Sequence, residues 1–212
     1  PRVLEEADAK DAALERDGLT GPLHCVPVLL KDQVETGDMP TTYGSALFKN
    51  FQSDRDATIV VRMKEAGAII LAKTNMGEFA SRYVGSAYGI IRNPYATDRN
   101  PSGSSGGSAV GTAASLGMGS IGEDTGGSIR GPASVTNLVG LRPTLELVST
   151  YGMMPANPTH DTMGPMTRTV TDAALLLDAI AGYDPNDPLT AKSFGEVPDS
   201  YTELLDTRAL EG

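Results

Sequence analysis

Two clusters of glycine and serine stand in the middle of the chain, at residues 103–108 (GSSGGS) and 124–128 (DTGGS). Glycine leaves room for a ligand to approach the backbone N–H groups, and serine supplies hydroxyls that can act as nucleophiles. A run of small residues, 109–116, joins the two clusters. The pattern indicates a site built from backbone donors and hydroxyl groups.

The two clusters resemble the amidase signature family of serine hydrolases. In that family the first cluster supplies a serine on a cis peptide, and the second supplies the serine that is acylated, 24 positions later. Ser104 and Ser128 have this spacing (128 − 104 = 24). A lysine followed by aspartate after an upstream strand completes the family's set, and Lys31 before Asp32 matches it. The similarity covers residues from about 21 to about 188.

The resemblance implies a role for each matching residue in the hydrolysis of a small-molecule carboxamide. Ser128 is expected to form an acyl-enzyme, with Lys31 as the base and Ser104 as the proton relay between them. A lysine accepts a proton only when neutral, and its ordinary pKa is about 10.4. Burial at the end of a strand lowers that pKa, because the ammonium loses its hydration. No metal and no organic cofactor are implied.

The second cluster also predicts the donors that stabilise the oxyanion. The backbone N–H groups in question belong to Thr125, Gly126, Gly127 and Ser128. Asp124 is expected to brace this turn by accepting backbone hydrogen bonds, and Arg130 is expected to support it as an ion-pair partner. Phe79 matches a pocket-lining position of the family, although a place in the core is an alternative for a phenylalanine.

Residue 123 departs from the family pattern. The family usually has threonine or serine before the aspartate of the second cluster, and this chain has Glu123. A carboxylate close to Lys31 would stabilise the ammonium form and oppose its use as a base. Either Glu123 is therefore expected to point away from the site, or this member of the family is tuned differently or is a weak enzyme.

The hydrophobic pattern predicts a mixed α/β domain with helices on both sides of a mostly parallel sheet. The strands are predicted at 26–30, 68–72, 120–122 and 139–141, and the helices at 3–16, 57–66, 108–116 and 172–181. Asp56 and Thr171 are the predicted N-caps of the helices at 57–66 and 172–181. Strand, helix and strand over 26–72 predict a parallel crossover unit.

Composition limits the remaining classes of function. The chain has 212 residues and a net charge of −10, which argues against binding to nucleic acid or to an anionic membrane surface. No apolar run approaches the roughly 20 residues of a membrane-spanning helix. Cys25 is the single cysteine, so no internal disulfide can form. These features favour a cytoplasmic location.

Two other motifs compete with this interpretation. Gly103-x-Ser105-x-Gly107 fits the nucleophile elbow of α/β hydrolases, with His160 as the available base. Gly117-x-Gly119-x-x-Gly122 fits a dinucleotide-binding fingerprint. The first leaves the second cluster unexplained, and the second places two acidic residues where a phosphate would bind.

The family's domain is about twice as long as this chain. Residues 1–212 are therefore expected to form a single amidase-signature domain truncated at both ends, as the N-terminal half of the family's fold. The A-type component of tRNA-dependent amidotransferases shares the same motifs, so release of ammonia from glutamine for a partner protein is an alternative function. An inactive fragment is a further alternative.

Overall fold

The computed structural model describes residues 2–209 and residue 211. The α-helices are Arg2–Asp17 (α1), Thr58–Glu65 (α2), Gly106–Ala113 (α3), Arg130–Val135 (α4) and Val170–Ile180 (α5). The strands are Pro27–Lys31 (β1), Ile69–Thr74 (β2), Val84–Gly85 (β3), Gly89–Ile90 (β4), Gly119–Asp124 (β5), Val139–Gly140 (β6) and Thr162–Thr167 (β7). Four short 3₁₀ helices, 46–48, 78–80, 188–193 and 202–204, lie in the connections.

Five of these strands form one sheet in the order β2-β1-β5-β7-β6. Strand β1 pairs in parallel with β2 on one side and with β5 on the other. Strand β7 is antiparallel to both of its neighbours, β5 and β6. Four of the five strands thus share one direction, which confirms the expected mixed, mostly parallel sheet and the β1-α2-β2 crossover.

Helices cover both faces of the sheet. The larger core cluster joins strand residues such as Val28, Leu30 and Ile121 to side chains from α2 and α5. A smaller cluster on the other side contains Ala109 from α3 and Ala133 from α4. Burial of two apolar faces against separate helical layers is the stable arrangement for such a sheet, and it confirms the predicted fold class. Among the helices that the structure describes, none combines the length and apolar character needed to cross a membrane.

Both predicted helix caps are wrong. Ala57 is the N-cap residue of α2 and makes no side-chain cap, while the Asp56 carboxylate accepts from the Gly37 N–H and from Lys64. Thr169, two residues before the predicted cap, accepts the N–H of Asp172 at the start of α5. An aspartate just before a helix can cap the first turn or pair with a basic residue, and the sequence is the same in both cases. Only the residue at which the helix begins distinguishes the two.

Strand β7 is absent from the sequence prediction, although it is an internal strand of the sheet, between β5 and β6. Its central residues are Gly164 and Pro165, which normally disfavour an internal strand. Here the Pro165 carbonyl accepts from Leu141, and Pro165 lies opposite Ile121 of β5. Strand pairing on both sides therefore overrides the local preference of these two residues.

Candidate active site

The predicted catalytic residues converge at the carboxyl ends of β1 and β5. Lys31 is the last residue of β1, and Glu123 and Asp124 are the last two residues of β5. The two strands are parallel neighbours, so their carboxyl ends meet at the same edge of the sheet. Ligands of open α/β sheets bind outside this edge.

Lys31 is completely buried and has three hydrogen-bond partners. Its Nζ lies 2.7 Å from the Ser104 Oγ, 2.7 Å from the Glu123 Oε2 and 3.1 Å from the Glu123 carbonyl oxygen. An ammonium group has three N–H donors, so these contacts can accommodate all of them. The predicted contact between Lys31 and Ser104 is present, and Glu123 points into the site.

Burial and charge act on Lys31 in opposite directions. Complete burial lowers the pKa of its amine, because the ammonium form loses hydration. The carboxylate of Glu123 raises the pKa and offsets part of this effect, with smaller contributions from Asp161 and Asp124. The net direction is downward, as a general base requires.

The first glycine-serine cluster holds Ser104 beside Lys31. The peptide bond between Gly103 and Ser104 is cis, as the family resemblance implied. A side chain at residue 103 would collide with the backbone, since a Cβ there would lie 1.6 Å from the Arg82 carbonyl oxygen. The Ser104 carbonyl accepts from the Gly77 N–H. Ser104 itself is buried, with its hydroxyl toward Lys31.

Ser105 joins the two clusters. Its N–H donates to the Ser128 carbonyl, and its hydroxyl lies 3.0 Å from the Glu123 carbonyl and 3.2 Å from the Glu123 nitrogen. The second cluster is thereby packed against the first, with Ser128 following directly on the turn at the end of β5. Ser128 is partly exposed, whereas Ser105 is completely buried.

Asp124 braces the second cluster as predicted. It is completely buried, and its carboxylate accepts from the backbone N–H groups of Gly127, Ile129 and Arg130. The guanidinium groups of Arg130 and Arg142 lie 3.1 Å and 3.2 Å from its oxygens. Burial by itself raises the pKa of a carboxyl, but the hydrogen bonds from Arg130 and the backbone outweigh it and lower the pKa of Asp124 to about 2.

This bracing occupies one of the four predicted oxyanion donors. The Gly127 N–H donates to Asp124 over 2.6 Å and therefore points away from the open side of the turn. Gly127 has a φ of 129°, which favours glycine. Within residues 2–209, the N–H groups of Gly126 and Ser128 have no protein acceptor. A Cβ placed on Gly126 would meet no atom within 4 Å, so the turn is open above this residue.

Replacing Asp124 by asparagine is expected to destabilise the fold at neutral pH by about 2 kcal/mol, from a pKa difference of 3.8 − 2 at about 1.4 kcal/mol per unit. The ionised carboxylate stabilises the fold fully above its unfolded pKa, and this contribution is lost as the pH falls through about 2. Urea unfolding of wild type and variant at several pH values measures the difference, which should shrink on acidification.

Asp8, exposed on α1, provides the matched control for this substitution. Asp8→Asn is expected to leave the unfolding free energy within about 0.5 kcal/mol of wild type. An Asp124→Asn protein as stable as wild type at neutral pH would contradict the role of Asp124 as a brace.

Phe79 lies near the site but outside the core. Its side chain is 48% exposed, and its ring packs edge-on against Tyr43 with the centroids 5.6 Å apart. Phe79 belongs to a short 3₁₀ helix that follows Gly77, the donor to Ser104. The alternative of a core phenylalanine is therefore wrong, and lining a substrate pocket stays a prediction.

Asp161 is a site residue that the sequence analysis did not identify. It immediately precedes β7, and one oxygen of its buried carboxylate accepts from the N–H groups of Ala156 and Asn157. The other oxygen lies 2.6 Å from the hydroxyl of Thr125. That hydroxyl also lies 2.7 Å from Glu123, so a chain of side-chain contacts runs from Ser104 to Asp161.

The competing motifs do not form sites. The Ser105 hydroxyl contacts the backbone of Glu123, and the ring of His160 contacts Thr159. The serine and the histidine that the nucleophile elbow would require therefore have different partners, and the described residues show no hydrogen bond between them. Of the fingerprint glycines, Gly117 lies two residues before β5, and Gly119 and Gly122 lie within it, so the motif leads into a strand rather than into a helix. No cluster of metal-binding side chains occurs among the described residues.

Comparison with known proteins gives a consistent result. A family model described as Amidase matches residues 1–208. The A-type component of the Glutamyl-tRNA(Gln) amidotransferase of Thermobifida fusca (strain YX) is 49% identical over 188 residues, which is 88% of this chain and 38% of that protein. The chain thus spans about two fifths of the length of the curated relatives it matches.

Solved structures resemble the fold closely. The native peptide amidase from Stenotrophomonas maltophilia superposes with a TM-score of 0.91 and 43% identity, over 97% of this chain and 44% of that one. An amidase family protein from Bacillus anthracis str. Ames gives a TM-score of 0.93 and 40% identity, over 97% and 42% of the two chains.

Proposed function

Because the chain belongs to the amidase family, we propose that it supplies the catalytic centre of a hydrolase that cleaves the C–N bond of a carboxamide. The observation that carries the proposal is the buried contact of 2.7 Å between Lys31 and Ser104, beside the turn that ends at Ser128. An amine buried in this way, with its pKa lowered, is the kind of base that a serine nucleophile needs.

In the proposed reaction Ser128 attacks the amide carbonyl carbon. Its hydroxyl proton passes to Ser104, and the Ser104 proton passes to neutral Lys31. The tetrahedral oxyanion is stabilised by N–H groups of the turn, of which those of Gly126 and Ser128 are free to donate. Collapse of the intermediate breaks the C–N bond, and the proton returns through the relay to the leaving amine. Water then hydrolyses the ester on Ser128 by the same steps.

Several features support this arrangement. Ser128 is partly exposed, so a substrate can reach it, whereas Ser104 and Lys31 are buried and shielded from bulk water. Asp124 fixes the turn by accepting from the backbone N–H groups of Gly127, Ile129 and Arg130, which leaves the oxyanion donors preorganised. Phe79 is proposed to line the approach to Ser128 with an apolar surface.

A second candidate is release of ammonia from glutamine for a partner protein. It is favoured by the relative from Thermobifida fusca, which is the A-type component of an amidotransferase and is 49% identical over the aligned region. The chemistry at Ser128 is the same in both cases, so the substrate and the need for a partner distinguish them.

An ammonia-release assay separates the two functions. The protein is incubated with small primary amides and, separately, with glutamine, both in isolation and together with candidate partner proteins. A free amidase is expected to release ammonia from small amides without a partner. Turnover restricted to glutamine and to the assembled complex would establish the second function instead. No ammonia release under any of these conditions would contradict both.

A further inference from the structure

The hydroxyl of Thr125 lies between two carboxyl groups. Its oxygen is 2.7 Å from the Glu123 Oε1 and 2.6 Å from the Asp161 Oδ1, which are both distances of well-formed hydrogen bonds. A threonine hydroxyl carries one proton, and an ionised carboxylate can only accept. With both carboxylates ionised, one of these two contacts would hold no proton.

Both carboxyl groups are buried, although Thr125 itself is partly exposed. Glu123 is 0% exposed and Asp161 is 4% exposed, so solvent has little access to the carboxyl oxygens. The other oxygen of each carboxyl is already engaged, since Glu123 Oε2 contacts Lys31 and Asp161 Oδ2 accepts two backbone N–H groups. Two oxygen atoms facing each other without a proton are costly in such a low-dielectric site. An additional proton on one of the two carboxyls would complete both contacts.

This conclusion does not depend on the protonation state of Lys31. As an ammonium, Lys31 donates to Glu123 and to Ser104. As a neutral amine, it accepts from one of them. In neither state does its proton lie between Thr125 and a carboxyl oxygen, because its contacts are with Ser104, the Glu123 carbonyl and Oε2.

We propose that Glu123 and Asp161 share one proton through the Thr125 hydroxyl, and that Asp161 is thereby a positioning residue for the oxyanion turn. One carboxyl donates to the Thr125 oxygen, and the Thr125 hydroxyl donates to the other carboxylate. The shared proton holds Thr125, the first residue after β5, in one orientation. Loss of the proton at high pH would place two carboxylates against this hydroxyl and loosen the start of the turn.

Other titratable groups surround the pair. Lys31 from β1 faces Glu123, and Asp124 at the end of β5 adds negative charge near Lys31. Tyr43 approaches from the loop after β1, and burial followed by the charges of Glu123 and Asp161 raises its pKa to about 12. Tyr43 therefore stays neutral over the working range, and its hydroxyl donates to Pro155.

Infrared difference spectroscopy tests the shared proton without any enzymatic assay. The spectrum of wild type at neutral pH is expected to show the carbonyl stretching band of a protonated carboxyl group. Asp161→Asn and Glu123→Gln are each expected to lose it, because an amide N–H donates to Thr125 in place of the extra proton. Either variant can decide the result if the other fails to fold. A wild-type spectrum without this band, or a band that survives in a folded variant, overturns the proposal.

Asp184→Asn is the matched control. Asp184 is buried, but its carboxylate accepts from two separate hydroxyls, those of Thr58 and Ser149, so its contacts need no additional proton. Its replacement is expected to leave the protonated-carboxyl band unchanged. Loss of the band in this variant would assign the proton elsewhere and overturn the proposal.

The positioning role of Asp161 rests on the proposed function and is tested separately by the pH dependence of kcat. Wild type is expected to lose kcat at high pH as the shared proton dissociates. Asp161→Asn is expected to lack this alkaline fall, with KM little changed. The same alkaline fall in both proteins would overturn the positioning role. An intact infrared band in a protein that hydrolyses no amide would refute the proposed function alone.

Discussion

Replacing Ser128 by alanine is expected to lower kcat/KM for amide hydrolysis by roughly 10⁶, the loss typical of removing a nucleophile from a serine hydrolase. Neither Ser104 nor Ser105 can take its place, because both are buried and their hydroxyls contact Lys31 and the Glu123 backbone. The residual rate should reflect the oxyanion donors and substrate binding. Steady-state kinetics on one small amide measures the change.

Ser105→Ala is the control for this substitution. It removes a hydroxyl from the same pair of clusters without touching the proposed relay. The Glu123 N–H loses a partner at 3.2 Å, so a modest loss of stability is expected, on the order of 1 kcal/mol. Turnover should persist. A Ser105→Ala protein as inactive as Ser128→Ala would favour the nucleophile-elbow interpretation, in which Ser105 is the nucleophile. A fully active Ser128→Ala protein would exclude Ser128 as the nucleophile.

Lys31→Ala is expected to reduce kcat/KM by roughly 10²–10⁴, the usual contribution of a general base. It should also abolish the rise of activity with pH. Burial lowers the pKa of Lys31, so in wild type the neutral amine becomes available as the pH rises toward that lowered value. Activity then levels off, up to the alkaline fall expected when the proton shared by Glu123 and Asp161 dissociates. Glu123→Gln removes the carboxylate that favours the ammonium, so the rising limb should move to lower pH.

Removal of Lys31 also leaves the Glu123 carboxylate buried without its partner. Breaking a buried ion pair on one side costs about 3–5 kcal/mol, so the double variant Lys31→Ala/Glu123→Gln is needed to separate lost catalysis from lost stability. A double variant that regains the stability of wild type but remains inactive would support a catalytic role for Lys31. Near-full activity and an unchanged rising limb in Lys31→Ala would place the base elsewhere.

Lys73 provides a second control for the pH profile. It is on the adjacent strand β2 and is partly buried, with a pKa that burial lowers to about 8 against the opposing effect of Asp32. Its titration could therefore be mistaken for that of Lys31. Lys73→Met is expected to leave the rising limb in place, because Lys73 contacts Thr41 and Asp32 rather than a serine of the site. Disappearance of the limb in this variant would contradict the assignment to Lys31.

The sequence was sufficient to predict strands β1 and β5 and the two glycine-serine clusters, which carry most of the site. Each cluster contains a glycine that the backbone geometry requires, Gly103 because a Cβ would collide there and Gly127 because its φ is positive. Such requirements leave a pattern that can be read without coordinates. The position of Lys31 at the end of an apolar run can also be recognised in the sequence, because a buried strand needs continuous apolar residues.

The remaining part of the site depends on long-range contacts that leave no local pattern. Asp161 precedes a strand whose Gly164 and Pro165 disfavour the strand prediction, so nothing in its neighbourhood marks it. The direction of the Glu123 side chain also could not be inferred, because it is decided by contacts with Lys31 and Thr125 from other segments. The hydrogen bond from the Gly127 N–H to Asp124 is a third feature that the sequence did not predict, since it removes one of the four expected oxyanion donors.

The most direct test of the proposed mechanism is to identify the residue that a fluorophosphonate modifies. The protein is treated with the probe, digested, and mapped by mass spectrometry, with Ser128→Ala treated in parallel. The label is expected on Ser128 in wild type and on no serine of either cluster in the variant. Label recovered on Ser104 or Ser105 in wild type, with Ser128 unmodified, would contradict an acyl-enzyme on Ser128.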